Sequence, residues 1–299
     1  MKIMVTGGTG FVGASLIPAL MEAGHGVILL VRPGEKRQHT YPGVEVVEAD
    51  TMEAGAWQKR VEECGGAINL AGAPINTRWS KKNKELIRAS RVLTTRNLVA
   101  AIPENKDFRL LSTSAVCYYG DGGEALLDEG APTGRDFLAS VAKEWESEAL
   151  VASGRGAKVA VTRFGIVLDR GGGALDKLEE LSRRFLGGPL GSGRQWFSWI
   201  HRADLVRALV FLLERPEIEG PVNLSSPEPV RQLELMKRLG RALKRPAFTP
   251  APRLAVRLLL GEFADVLLFS QRMDPVRMKE AGFKYQYPTI ESALGALYG

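Results

Sequence analysis

Apolar residues in the first 170 positions fall in short unbroken runs separated by helically spaced patterns. Lys2-Ile3-Met4-Val5-Thr6 predicts a buried strand, and Leu16, Ile17, Leu20 and Met21 then recur at the spacing of one helix face. Further strands are predicted over 27–31, over 44–47 (ending near Asp50), over 67–70, 109–112 and 158–167, with helices over 81–101 and through 145–152. Unbroken apolar runs, unlike alternating ones, belong to strands covered on both faces. Strands that alternate with helices therefore predict an α/β fold with a doubly wound parallel sheet. After residue 170 the pattern changes. Gly171-Gly172-Gly173 and the 187–193 stretch read as loops, and Pro216, Pro221, Pro227 and Pro229 interrupt the chain beyond them. Short helices are predicted over 174–185, 204–213, 233–243 and 253–269. The expected organisation is a sheet domain over 1–170, with its sheet completed by parts of 195–225. A smaller, partly interleaved C-terminal substrate domain covers 171–299.

The first strand runs directly into Gly7-Gly8-Thr9-Gly10-Phe11-Val12-Gly13 and then into the first helix. Strand, glycine turn and helix together are what a dinucleotide pyrophosphate requires. One glycine permits the tight turn, one lets the backbone approach phosphate, and the last lets the helix pack on the strand. The helix start then directs N–H groups and its positive dipole end at the anion. Ligands of such sheets lie beyond the carboxyl ends of the strands. Thr9, Arg32, Asp50, Ala71 and Ser114 all fall at those ends and are expected to converge on one crevice.

The residue that ends the second strand meets the adenosine ribose, where an acidic side chain would favour NAD. Here the strand ends Leu30-Val31-Arg32-Pro33. The guanidinium of Arg32 suits a 2′-phosphate, so NADP(H) is the expected cofactor. Asp50 is expected either to accept from the adenine amino group or to act as a turn or N-cap residue.

Composition narrows the class further. The chain has 299 residues, 45% of them hydrophobic and 25% charged, as in a globular protein with a large core. Its two cysteines, Cys64 and Cys117, make no disulfide framework, and a cytoplasmic location without signal peptide or membrane helix is expected. The stretch 254–269 carries Arg257, Glu262 and Asp265, which a membrane span would not. The net charge of +6 is scattered along the chain, with no basic arm, so nucleic acid is not an expected partner. Three histidines offer neither a zinc pattern nor a Ser/His/Asp arrangement. A small-molecule substrate is the expected partner.

Several stretches carry a family likeness. They are Thr6 to Gly13, Asn69-Leu70-Ala71-Gly72-Ala73-Pro74-Ile75, Arg78-Trp79, Ser90-Arg91, Ser112 to Gly120, Gly187 to His201 with Asp204, Gly220 to Asn223, and Gln271 to Pro288. In these the chain resembles the extended short-chain dehydrogenase/reductases, and within them the atypical YfcH-like epimerase family proteins, from Met1 to about Leu297. The resemblance implies a Rossmann-type sheet, an NADP(H) site and a small C-terminal substrate domain. It implies that residues 9–12 hold the pyrophosphate, that Arg32 holds the 2′-phosphate, and that Leu70 and Ala71, beside Gly72, line the adenosine side. Ile166 and Val167 would meet the nicotinamide carboxamide.

The same likeness exposes a departure. The superfamily uses Ser, Tyr and Lys, the last two spaced four apart so that both lie on one helix face. Ser114 fits the serine. The matching helix reads Asp136-Phe137-Leu138-Ala139-Ser140-Val141-Ala142-Lys143. The tyrosine position is Ala139 if Lys143 is the lysine, or Leu138 if the register moves by one to Ala142. Either way the tyrosine is absent. Tyr118 and Tyr119 are then the candidate proton donors beside Ser114. Arg91 replaces a familiar asparagine, and is expected to bind the cofactor ribose or a phosphate, or to polarise a carbonyl. Arg194, Trp196, Trp199 and His201 are candidate substrate residues, because aromatics where sugar-nucleotide epimerases carry an arginine point to a ring or acyl substrate. Two functions are compatible with these residues. One is an NADP(H)-dependent oxidoreductase or epimerase acting on a small carbonyl or hydroxyl compound. The other is a non-catalytic NADP(H) sensor or protein-interaction module.

Overall fold

The computed structural model describes residues 1–34 and 41–299. The first half comprises strands β1 (Lys2–Thr6), β2 (Gly26–Val31), β3 (Glu45–Glu48), β4 (Gly66–Asn69) and β5 (Arg109–Ala115), with helices α1 (Gly13–Glu22) and α2 (Lys81–Ala100). Next come β6 (Leu126–Leu127), α3 (Phe137–Leu150), β7 (Lys158–Phe164), β8 (Ile166–Leu168) and α4 (Gly173–Arg183). The remainder comprises β9 (Trp196–Phe197), β10 (Trp199–His201), α5 (Arg202–Leu213), β11 (Gly220–Leu224), β12 (Val230–Arg231) and α6 (Gln232–Ala242). Helices α7 (Arg253–Leu260) and α8 (Ala264–Leu268), strand β13 (Arg272–Met273), and helices α9 (Val276–Glu280) and α10 (Ile290–Tyr298) complete the chain.

Seven strands form one parallel sheet in the order β11-β7-β5-β4-β1-β2-β3. Successive side chains of β1 point to opposite faces, which divides the core. Ile3 and Val5 pack with Leu16 and Leu20 of α1 and with Leu205, Leu209 and Leu212 of α5. Met4 faces the other way, onto Leu98 and Val99 of α2 and Ala149 of α3. The chain fills one half of the sheet through β3 and then returns to the other side of β1 at β4. That reversal is the switch point beyond which a crevice opens.

The structure departs from the sequence pattern in two places that matter for the site. The predicted strand over 158–167 breaks at Gly165. There β8 leaves the main sheet and pairs with β10, while β11 takes the place beside β7. The predicted helix over 253–269 is broken by Gly261, whose φ of +59° lies in the left-handed region. A single 3₁₀ turn, Gly261–Phe263, separates α7 from α8.

Arg109 opens β5 yet is 4% exposed. Its guanidinium donates to the Leu212 carbonyl at 2.8 Å and to the Ile218 carbonyl at 2.9 Å, closing the C-terminal end of α5. Burial pushes it down to about 10, so it stays charged at neutral pH. Arg109→Met should destabilise the protein by roughly 3 kcal/mol, because each buried carbonyl left unpaired costs about 1–3 kcal/mol. Denaturant unfolding measures this, and an unchanged midpoint would contradict it.

Candidate functional site: a cavity at the switch point

Beyond the carboxyl ends of β1, β4, β5 and β7 lies a cavity of about 640 Å³. Gly7, Gly10, Phe11, Val12 and Gly13 line it below β1, and Leu70, Ala71 and Gly72 line it after β4. Thr113 to Cys117 line it at the end of β5, and Phe164 to Ile166 at the end of β7. Helices α2 and α3 add Arg91, Leu138, Val141, Ala142 and Trp145. Glu262, Asp265, Val266 and Phe269 cover it from the C-terminal segment. That cover is tethered at the start of α2, where the Trp79 ring meets Phe137 and Phe263 edge-on at 5.2 and 6.0 Å, and Lys84 bonds Glu262.

The glycine turn is shaped by contacts that a side chain would break. A Cβ on Gly7, which has a φ of +65°, would sit 2.7 Å from the Leu70 carbonyl carbon. One on Gly13 would sit 2.4 Å from Gly8 Cα. At Gly10 the nearest atom would be the Gly7 oxygen at 3.3 Å, so this glycine keeps backbone bare toward the cavity. Helix α1 begins with no side-chain cap and no acidic residue in its first turn. A helix start left uncapped beside bare backbone fits an anionic pyrophosphate.

Ser114 lines the cavity, but its proton is directed away from it. The hydroxyl donates to Glu146 Oε1 at 2.6 Å. Glu146 is 5% exposed, and is clasped by Arg163, 2% exposed, through Nε to Oε1 and Nη2 to Oε2, both at 2.8 Å. Burial works against the charge of Arg163, yet the bonds to Glu146 hold its guanidinium above its ordinary range. The carboxylate that Arg163 clasps is an acceptor here, so the proton of the fully buried Ser114 is committed to Glu146.

The cavity face of α3 consists of Phe137, Leu138, Val141, Ala142 and Trp145, whereas Lys143 is exposed. The tyrosine and lysine positions that face the site are therefore Leu138 and Ala142. The two tyrosine candidates are corrected. Tyr119 is 4% exposed; its hydroxyl donates to Asn223 Oδ1 at 2.6 Å and accepts from Arg163 Nη1 at 2.9 Å. Burial pushes that phenol up to about 12. Tyr118 lies under the Arg163 guanidinium, 3.6 Å from its ring centroid. Neither lines the cavity, because the 3₁₀ turn Val116–Tyr119 rotates both away behind Ser114. Cys117 does line the cavity, and burial pushes its thiol up to about 12, against the pull of Arg91.

None of the four substrate candidates lines this cavity. Trp199 is fully buried among Leu168, Leu235 and Leu239, and its indole donates to the Glu228 carbonyl. His201 caps α5 through Nδ1, which accepts from Ala203 N, and burial lowers its pKa. Trp196 is held between Arg231 and Arg272 and bonds Glu124. Arg194 lines a separate surface groove with Glu124 and Arg231.

Among the expected cofactor residues, Ile166 lines the cavity and Val167 does not. Thr9, Val31, Arg32 and Asp50 lie outside the lining, at the carboxyl ends of β1, β2 and β3. Val31 is buried there and Arg32 exposed. Asp50 Oδ1 accepts from Met52 N at 2.9 Å, which makes it a turn residue.

Glu146 and Arg163 escape a reading of the sequence, as do the covering residues Glu262 to Phe269. The available signal is Glu146 itself, a carboxylate four residues after Ala142 on an otherwise apolar helix face.

A doubly wound sheet with a glycine turn at its switch point and a covered cavity beyond it defines the nucleotide-binding α/β class. The chain belongs to the NAD dependent epimerase/dehydratase family, whose pattern matches residues 3–224. A domain of unknown function matches residues 251–297 and includes the cavity cover. The chloroplastic epimerase family protein SDR39U1 homolog of Arabidopsis thaliana is 40% identical over 99% of this chain and 86% of its own. An epimerase family protein of Mycobacterium bovis is 38% identical over 98% of this chain and 96% of its own. Human epimerase family protein SDR39U1 (isoform2), whose crystal structure is with NADPH, superposes with a TM-score of 0.85 at 32% identity, covering 100% of this chain and 99% of that one. Thermus thermophilus UDP-glucose 4-epimerase shares the fold at 17% identity with a TM-score of 0.77. No helix long and apolar enough to cross a membrane occurs among the described residues.

Proposed function

We propose that this protein is an NADP(H)-dependent oxidoreductase or epimerase of the atypical short-chain dehydrogenase type, acting on a small compound with a carbonyl or hydroxyl group. The carrying observation is the single cavity wall that joins the bare glycine turn after β1 to Ser114 near the end of β5 and Ile166 after β7. The NADPH in the human relative supports the choice of cofactor. When bound, the nicotinamide supplies or accepts a hydride at its ring; the rest of the chemistry falls to the chain. Residues 9–12 hold the pyrophosphate through the backbone of the glycine turn, and Arg32 holds the 2′-phosphate at the end of β2. Ser114, fixed by Glu146, accepts from a substrate hydroxyl at the reacting carbon. Trp145, Phe137 and Trp79 form an apolar wall against which the substrate lies, and residues 262–269 exclude water from it. The partner is a small molecule, and the cytoplasm is the compartment that fits a chain with two free cysteines.

Titration of NADPH and NADH by quenching of tryptophan fluorescence tests this reading. NADPH should bind more tightly, and Arg32→Ala should lose roughly ten- to a hundredfold of that preference, since a charge-assisted bond is worth about 1.5–3 kcal/mol. Equal affinities in the parent protein would remove the NADP(H) assignment. A second reading, a non-catalytic dinucleotide sensor, rests on Leu138 and Ala142 standing where the tyrosine and lysine would face the cavity. Tight NADPH binding without turnover, across a broad panel of carbonyl and hydroxyl compounds, would favour the sensor.

A further inference from the structure

Arg91 is a cation that the protein itself leaves unbalanced. It projects from α2 into the cavity wall, where one guanidinium N–H donates to the Ile87 carbonyl at 2.9 Å. Among the described residues it pairs with no carboxylate, and burial lowers its guanidinium below the ordinary range. An arginine carries five N–H donors in a fixed fork, so most of this one's capacity is unspent. Arg91 is half-buried, and a charge partly withdrawn from water without a partner is costly, so the missing acceptors are expected to come from whatever fills the cavity.

The position narrows what those acceptors are. The guanidinium lies 3.0 Å from where a Cβ on Gly72 would be, just past the end of β4. It also lies near Cys117, past the end of β5, and over the Trp145 ring at 5.4 Å. In the sheet, β4 and β5 stand between β1, which carries the glycine turn, and β7, which leads to Ile166. A dinucleotide with its pyrophosphate at the turn and its nicotinamide at Ile166 passes Arg91 at the sugar between them. Trp145 and Ala142 are three residues apart on the same face of α3, and Ala142 has no group to offer. We infer that Arg91 holds the ribose joining the pyrophosphate to the nicotinamide, and supplies from α2 the cation that α3 lacks at Ala142; this rests on the NADP(H) reading above. The planar fork can bond both hydroxyl oxygens of the sugar, which a lysine at this position would do less rigidly. Its cation–π contact with Trp145 helps to hold the guanidinium in place. Arg91 thereby sets the depth and tilt at which the nicotinamide reaches Ser114.

Three ligands that differ by one group at a time test the assignment by calorimetric titration of the full chain. These are 2′-phospho-ADP, which has the pyrophosphate and the 2′-phosphate but no second ribose, 2′-phospho-ADP-ribose, which adds that sugar, and NADPH. Arg91→Met should weaken NADPH and 2′-phospho-ADP-ribose alike, by roughly ten- to a hundredfold, and leave 2′-phospho-ADP unchanged. Weakening of all three would place Arg91 on the phosphates, and weakening of none would place it on the substrate side; either overturns the inference. Failure of the parent protein to bind NADPH would instead overturn the cofactor reading. If Arg91→Met does not fold, Arg91→Lys carries the test, with the same ranking expected and a smaller loss.

Discussion

Gly10→Val is expected to abolish NADPH binding, with a loss of more than about a hundredfold, while the protein keeps its fold. A Cβ at residue 10 meets only the Gly7 oxygen, at 3.3 Å, so the turn can accommodate it with a small shift. The rest of the side chain must then project into the cavity, over the backbone that a pyrophosphate needs to approach. Two lost charge-assisted bonds of about 1.5–3 kcal/mol each account for the expected size. Gly13→Val is the contrasting case. Its Cβ would fall 2.4 Å from Gly8 Cα, so the turn itself must move and stability should fall along with binding. Calorimetric titration with NADPH and a thermal melt on both variants separate the two effects. Parent-like binding by folded Gly10→Val would mean that the turn shapes a βα corner and nothing more.

Glu146→Ala should destabilise the protein by about 3–5 kcal/mol, the usual cost of leaving one member of a buried ion pair uncompensated. Arg163 would then be 2% exposed with its two carboxylate bonds gone, while Ser114 would lose the acceptor of its proton. Replacing both charges together, as Glu146→Met with Arg163→Met, should recover much of that loss, because apolar side chains of similar volume remove both desolvation costs at once. The recovery will be incomplete, since Arg163 also donates to Tyr119 and to the Glu129 carbonyl. Urea unfolding of the parent, Glu146→Met, Arg163→Met and the double variant gives the coupling energy directly. Additive losses in that cycle would show that the two residues act separately. A single loss below about 1 kcal/mol would show that water replaces the carboxylate.

The cofactor half of the site is legible from residues 2–21 because its requirements are local. A buried strand, a turn closed by glycines and an amphipathic helix are consecutive in the chain, and each leaves a periodic or compositional mark. The position of Arg32 just after β2 is legible for the same reason, since the end of β2 is defined by where its apolar run stops. Parallel topology also comes from local pattern, since strands covered on both faces read as unbroken runs.

The tertiary structure decided direction and distance. In sequence Tyr118 and Tyr119 are as close to Ser114 as any aromatic can be, yet a 3₁₀ turn rotates both out of the cavity. Trp199 and His201 belong to a distinctive run, but packing makes one a core residue and the other a helix cap. The sequence allows two registers for α3, and the exposure of Lys143 selects Leu138 and Ala142 as the cavity-facing positions. Proximity along the chain suggests that Ser114 points at substrate; Glu146, 32 residues away on α3, turns its proton inward. Residues 262–269 come to the cavity only because the chain returns over the sheet after β12 and breaks at Gly261. Sequence by itself determines which backbone segments form and in what class of sheet, because hydrogen bonding and apolar burial repeat with short periods. It does not determine which side chains of those segments meet, because those contacts join residues tens to hundreds of positions apart, and only the packed core sets their orientation.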